Sequence, residues 1–180
     1  YLKNFVKKIS AKGFKIKIIK TKKNSGTVAH PRNYGLKECS GDLVCFLDSD
    51  DYWENTKIEK QISQVKNKKI IYCTSAKYFN LKGKKSNFIL NYFRKRLQSY
   101  IIKKVNNKGF FWFYIYNPII VSSVLLDKKI LKENQFDENK YAREDYDLWI
   151  RLRKRNYKFK LKDDLLVNIC RRPDSMSSNI

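Results

Sequence analysis

Hydrophobic and polar positions change their period several times along this chain, and each change predicts an element. Leu2 to Ile9 has helical spacing and predicts the end of an amphipathic helix closed by Gly13. Phe14 to Ile19 alternates apolar residues with lysine and then continues apolar, which predicts a strand. Asn24-Ser25-Gly26 is a turn signal, and Arg32 to Cys39 predicts a short helix stopped near Gly41. Leu43 to Leu47 is continuously apolar. Between turn signals, such a run predicts a strand buried on both faces, the parallel-sheet type. Asn55 is placed to cap a helix from Thr56 to Val65, with Ile58, Ile62 and Val65 on one face. Ile70 to Cys73 predicts another strand.

The pattern then shifts. Ile89, Phe93, Leu97 and Tyr100/Ile101 fall at helical spacing, with Arg94, Lys95, Arg96, Lys103 and Lys104 around them. Phe110 to Tyr116 is densely aromatic. Ile119 to Leu126 predicts a strand, Asp127 a cap for a short helix over Lys128 to Lys132, and Ala142 to Arg155 a longer helix. Phe159 to Ile169 predicts one or two closing strands. Alternating helices and strands, without repeats or a low-complexity linker, define an α/β sandwich.

Length and composition narrow the class. A chain of 180 residues allows one domain with a real core. Forty basic against seventeen acidic residues give +23, yet 42% hydrophobic and 14% aromatic content argues against disorder. The longest nearly uncharged apolar stretch, Phe110 to Leu126, contains Asn117, Pro118, Ser122 and Ser123, which excludes a spanning helix. No signal peptide opens the chain, and Tyr1 in place of Met predicts a fragment or excised region. Cys39, Cys45, Cys73 and Cys170 form no CxxC pair or zinc spacing, which fits a reducing cytoplasm. With His30 alone, histidine-pair catalysis and histidine metal clusters are excluded. The dispersed lysines have two readings: a solvated basic surface from compositional drift, or attraction to a nucleotide-sugar, nucleic acid or an acidic membrane face.

In so basic a protein, clustered carboxylates are the informative exceptions. Asp48-Ser49-Asp50-Asp51 directly follows the apolar run Leu43–Leu47, and ligands of open α/β sheets bind outside the carboxyl ends of strands. Adjacent carboxylates repel one another unless a cation intervenes. Hard oxygen ligands without His or Cys suit Mg²⁺ or Mn²⁺ shared with phosphates. The competing reading is a capping turn before Trp53. The second constellation is Glu144-Asp145. Asp145, Leu148, Trp149 and Leu152 share one helical face, which places Asp145 on the buried side, where a raised pKa suits a general base. The alternative is a first-turn acid favoured by the helix dipole. Asp147, four residues before Arg151, fits that alternative better.

Read in order, these residues resemble glycosyltransferase family 2 with the GT-A fold. The carriers are Asn24-Ser25-Gly26, Pro31-Arg32-Asn33-Tyr34-Gly35, and Phe46-Leu47-Asp48-Ser49-Asp50-Asp51-Tyr52-Trp53 with Lys57 after it. Further on come Ser122-Ser123-Val124, Phe136-Asp137-Glu138, Glu144-Asp145-Tyr146-Asp147-Leu148-Trp149 and the tail Asp174-Ser175-Met176-Ser177. The resemblance covers nearly the whole chain apart from residues 80–116.

The resemblance implies an α/β fold, a Rossmann-like mixed sheet flanked by helices, without the first two strands and the nucleobase-binding aspartates of the family. It implies a single domain over 1–180: residues 1–79 as the remaining nucleotide-binding half and 80–180 as the acceptor half, with 80–116 variable. The implied activity is inverting transfer of a sugar from a nucleotide-sugar, usually UDP-linked, to an acceptor hydroxyl in surface polysaccharide or glycolipid synthesis. Asp48 and Asp50 would bind ribose and the Mn²⁺ or Mg²⁺ diphosphate, with Asp51 adjacent. Asp145 would be the general base beside Glu144, and Arg32 with Asn24 would line the nucleotide pocket. Arg171 and Arg172 stand where the family has a late histidine, positioned to stabilise the diphosphate. Partners would be the donor and a saccharide or lipid-linked acceptor. The basic helix over residues 80–116 has two readings: packing on the domain, or contact with an anionic membrane from the cytoplasmic side. No recognised nucleic-acid motif appears, so a nucleic-acid module rests on charge alone; the third reading is an inactive transferase remnant.

Overall fold

A computed structural model describes residues 2–21, 23–80 and 88–171. Leu2–Ser10 forms α1, and Gly13 beyond it takes φ 85°, left-handed backbone that a residue without Cβ adopts freely. α2 spans Ala29–Glu38 and buries Ala29, Asn33 and Leu36. The strand expected at Phe14–Ile19 does not form. Residues 14–21 lack regular structure, and Phe14 and Ile18 are exposed. Alternation makes a segment suited to a sheet, but a strand also needs a neighbour to take its backbone groups.

Among the described residues, five strands form one mixed sheet: β1 (Leu43–Cys45), β2 (Tyr52–Trp53), β3 (Ile70–Asn80), β4 (Leu125–Asp127) and β5 (Lys158–Arg171), in the order β1-β4-β3-β5-β2. β3 and β5 run parallel; the other neighbours are antiparallel. Between Thr74 and Ser75 the register jumps from Lys162 to Leu165. The two residues left over, Asp163 and Asp164, meet Lys95 and Lys60. The run Leu43–Leu47 differs from expectation. Only its first three residues form a strand, β1 pairs antiparallel with β4 as its one neighbour among the described strands, and Leu47 is exposed. An apolar run reports proximity to the core but not how many neighbours the strand has. The expected strand over Ile119–Leu126 is likewise shortened, because Val121–Ser123 makes a 3₁₀ turn before β4.

Four helices follow from local signals to differing degrees. α3 is Lys57–Ile62, shorter than expected. α4 is Phe88–Lys108, α5 is Lys128–Glu133 and α6 is Glu144–Lys154. The Asp127 cap forms as expected, its Oδ1 accepting from the Lys129 amide at 2.8 Å. The core gathers Leu126, Leu148, Trp149 and Phe159 between sheet and helices, with edge-to-face rings Phe113–Phe159 at 5.5 Å and Trp149–Phe159 at 6.3 Å.

α3 is rotated by about one residue from the burial its apolar residues suggested, with Ile58 only half-buried. Lys57 and Gln61 are buried, while Ile62 is exposed. Burial is tolerated because the polar groups are partnered. Lys57 Nζ donates to Gln61 Oε1 at 2.6 Å and lies 4.2 Å from the centre of the Trp53 ring. Gln61 Nε2 donates to the Ser123 carbonyl at 2.9 Å. Burial still lowers the Lys57 pKa to about 8. The unfolded chain therefore binds more protons than the folded one from pH 8 to pH 10, and stability from this group rises with pH across that window. Chemical denaturation of wild type and Lys57→Met over this range should show the difference in stability growing by up to about 1.4 kcal/mol per pH unit. Parallel pH profiles would place Lys57 in solvent.

Candidate active site

The site forms where the turn after β1, α2, the 3₁₀ turn before β4 and the start of α6 meet. The Asp51 amide donates to the Asp48 carbonyl at 3.0 Å, closing a turn that presents Asp48, Asp50 and Asp51 together. Ser122 is fully buried and holds this turn twice: its hydroxyl donates to Asp51 Oδ2 at 2.7 Å and accepts from the Asp48 amide at 3.3 Å. Trp53 Nε1 donates to the Ser122 carbonyl at 2.8 Å, so the residues after the acidic turn are fastened to the same serine.

Arg32 joins this turn to α6. Its Nη2 donates to Asp48 Oδ1 at 2.7 Å and its Nη1 to Glu144 Oε1. Burial opposes the guanidinium charge, but Asp48, Glu144 and Asp145 more than offset it, and the Arg32 pKa lies above its ordinary value. The next residue does comparable work on the backbone. Asn33 Nδ2 donates to the Phe136 carbonyl and to Glu138 Oε1, both at 2.9 Å, while its Oδ1 accepts from the Phe136 amide at 3.0 Å. The Arg32 guanidinium also lies 5.5 Å from the Phe136 ring centre. Residues 32–33 thus tie together 48, 136–138 and 144.

At the start of α6, Glu144 is buried as well as Asp145, which shares the face of Leu148, Trp149 and Leu152 as its spacing indicated and is partly buried there. Arg32 makes the Glu144 burial tolerable. Arg143 before it takes φ 60° without capping through its side chain. Desolvation lifts the Asp145 pKa to about 6, and neighbouring Glu144 adds to the rise; its bond from the Tyr146 amide and the nearby Arg32 pull the other way. Asp145 is therefore ionised at neutral pH while remaining a stronger base than an ordinary aspartate. Desolvation likewise raises Asp51 to about 6, against the hydrogen bond from Ser122. Asp147 pairs with Arg151 Nε at 2.7 Å, as its spacing indicated.

The structure thus brings together Arg32, Asp48, Asp51, Glu144 and Asp145, with Asp50 half-buried in the same turn. It places Asn24 otherwise: its Oδ1 accepts from the Gly26 amide at 3.0 Å within its own exposed turn. Arg171 ends β5 opposite Asn80; its side chain and Arg172, with the tail motif at 174–177, lie outside the described residues. The structural role of Ser122 and Asn33 was not read from sequence, although two serines inside an apolar run were a usable signal. Among the described residues, no group of three or more His, Cys, Asp or Glu converges on one metal position. The oxygen-only donors of the 48–51 turn fit Mg²⁺ or Mn²⁺ when phosphate oxygens and water complete the shell.

A mixed sheet with a carboxylate turn beyond one strand, faced by a helix that opens with two acids, has the architecture of the GT-A fold. The family model Glycosyl transferase family 2 matches residues 1–123, and the chain belongs to that family. It is 28% identical over 158 residues to the amylovoran biosynthesis glycosyltransferase AmsB of Erwinia amylovora, covering 87% of this chain and 50% of that protein. It is 33% identical over 128 residues to the Escherichia coli UDP-Glc:alpha-D-GlcNAc-diphosphoundecaprenol beta-1,3-glucosyltransferase WfgD, covering 71% of this chain and 45% of that one. The crystal structure of S. aureus TarS 1-349 in complex with UDP-GlcNAc matches with a TM-score of 0.66 at 18% identity, over 99% of this chain and 48% of that one; this likeness establishes the fold. The chain spans about half the length of these proteins.

Proposed function

We propose that the protein transfers a sugar, with inversion, from a UDP-linked donor to a hydroxyl of a saccharide or lipid-linked acceptor in surface polysaccharide or glycolipid synthesis. The observation that carries this reading is the Arg32 bridge. It holds Asp48, on the donor side, against Glu144, the residue before the half-buried base. Residues 1–79 serve the donor and 80–180 the acceptor. Asp48 and Asp50 face the ribose and diphosphate, and Asp145 accepts the proton of the attacking hydroxyl. Mn²⁺ or Mg²⁺, when bound beside Asp48 and Asp50, supplies positive charge against the diphosphate. The named UDP-glucose donor and diphosphoundecaprenol-linked acceptor of WfgD, and the UDP and UDP-GlcNAc complexes of TarS, support the donor class and a lipid-linked acceptor.

Calorimetric titration of the chain with UDP tests the donor half. Binding should require Mn²⁺ or Mg²⁺, disappear in excess chelator, and weaken about tenfold or more in Asp50→Ala, the scale of one lost charge-assisted contact. UDP binding that ignores both the chelator and Asp50→Ala would remove the acidic turn from the donor site.

A further inference from the structure

α4 is apolar on two opposite faces. Ile101, Ile102 and Val105, with Gln98 among them, pack inward; Gln98 accepts from Ser75 Oγ at 2.9 Å and donates to the Pro118 carbonyl at 2.8 Å. The stripe that helical spacing picks out in the sequence, Ile101 apart, points the other way. Phe93 is 62% exposed, Leu97 44% and Tyr100 49%, and all three share one side of the helix with Ile89. The apolar surface continues onto the following 3₁₀ turn, Phe110–Tyr114, where the Trp112 ring meets Tyr100 at 5.8 Å and Phe111 is 64% exposed. A soluble helix normally keeps its outer face polar, so a second apolar stripe marks a surface that something covers.

The charges around the stripe select the occupant. Residues 88–108 contain Arg94, Lys95, Arg96, Lys103, Lys104 and Lys108 and no Asp or Glu. Arg96 and Lys103 are exposed along one edge of the stripe, and Lys104 lies over the Tyr100 and Trp112 rings at 5.1 and 5.6 Å. A second copy would bring an identical cationic face and a further +23 against it. Nucleic acid would satisfy the cations but leave Phe93 and Leu97 in water. Aliphatic and aromatic groups flanked by cations match the headgroup and acyl boundary of an anionic bilayer.

We infer that the outer face of α4 docks in plane on an anionic lipid surface, with Phe93, Leu97 and Tyr100 entering the acyl boundary and Arg96 and Lys103 meeting phosphates. No helix among the described residues is long and apolar enough to cross a membrane, so this is contact along a surface. The inference deepens the reading of a lipid-linked acceptor, but its test needs no sugar donor, so either can fail without the other.

Flotation of the chain with vesicles of equal parts phosphatidylcholine and phosphatidylglycerol is the measurement. Wild type should float with these and not with phosphatidylcholine alone. Phe93→Ser with Leu97→Ser, and separately Arg96→Glu with Lys103→Glu, should each lower the partition coefficient about tenfold or more. Lys129→Glu with Lys132→Glu, on the exposed side of α5, should leave it within about twofold. Phe93→Trp keeps the face apolar, and the emission it adds to that of Trp53, Trp112 and Trp149 should be quenched by lipids brominated in their acyl chains. Four results would overturn the inference: no flotation of wild type; full flotation of the serine pair; equal loss in the α5 pair, which would mean bulk charge; or added emission from Phe93→Trp that stays unquenched. A dimer in lipid-free solution that the serine pair dissolves would assign the face to a second copy instead.

Discussion

Asp145→Asn should lower turnover about a hundredfold or more while leaving the affinity for UDP within about twofold, the pattern expected when a general base is lost and donor contacts remain. Asn keeps the volume and the acceptor for the Tyr146 amide but cannot take up a proton. The stability change should have the opposite sign to ordinary damage. Desolvation holds the Asp145 pKa up at about 6, above its unfolded value, so the charged form is disfavoured in the fold. Between pH 4 and pH 6 this group therefore loses stability for the native state as pH rises, and above that window wild type carries the full penalty. A neutral amide removes it, so the variant should melt at or above the wild-type temperature at pH 7.5. Turnover of wild type should rise with pH through about 6, and that limb should be missing from the residual activity of the variant. A variant that keeps half of wild-type turnover would move the base elsewhere.

Arg32→Met should be the most destabilising single change at the site. Its side chain is 13% exposed and that of Glu144 only 6%, so removing the guanidinium leaves a carboxylate buried without its partner. Such losses cost about 3–5 kcal/mol; the Asp48 side adds little because that carboxylate is 40% exposed. For a chain of this size the melting temperature should fall by roughly 6–20 °C. Arg32→Lys should recover only part of this, since an ammonium cannot present two parallel donors to two carboxylates. Arg32→Met combined with Glu144→Gln should melt closer to wild type than Arg32→Met alone, because no unpaired charge remains. Equal melting of wild type and Arg32→Met, followed by circular dichroism, would show that the bridge does not hold the site together.

Much of the site was legible because its chemistry is local. Three carboxylates within four residues after an apolar run, an arginine opening a helix, and an acid pair at another helix start all announce themselves by residue type. The cap at Asp127 and the Asp147–Arg151 pair are equally local and formed as read. What remained hidden depends on which neighbour arrives. Asp145 lies on the face its spacing indicates, but the burial of Glu144 one position away depends on the approach of Arg32 from a distant segment. Lys57 and Gln61 are buried in α3 where Ile58 is half-buried and Ile62 exposed, because they bond each other and the Ser123 carbonyl, a partner no periodicity specifies. The same blindness affected Phe14–Ile19, which has a strand's pattern but pairs with no strand among the described residues, and α4, where spacing identified an apolar stripe but not which stripe faced inward.

The Arg32–Glu144 contact joins residues 112 positions apart, and the parallel pairing of β3 with β5 sets Ile70 beside Lys158. Contacts of that span are reached late in folding, because the chain must first give up the entropy of closing the intervening loop. The Asp51–Asp48 backbone bond of the acidic turn is local, whereas its bonds with Ser122 and its link through Arg32 to α6 need distant segments in place. Sub-global opening that releases β5 would separate the two sets of carboxylates before either unfolds. Amide exchange at the start of α6 should therefore track the slowest protection in β5 rather than that of the neighbouring turn.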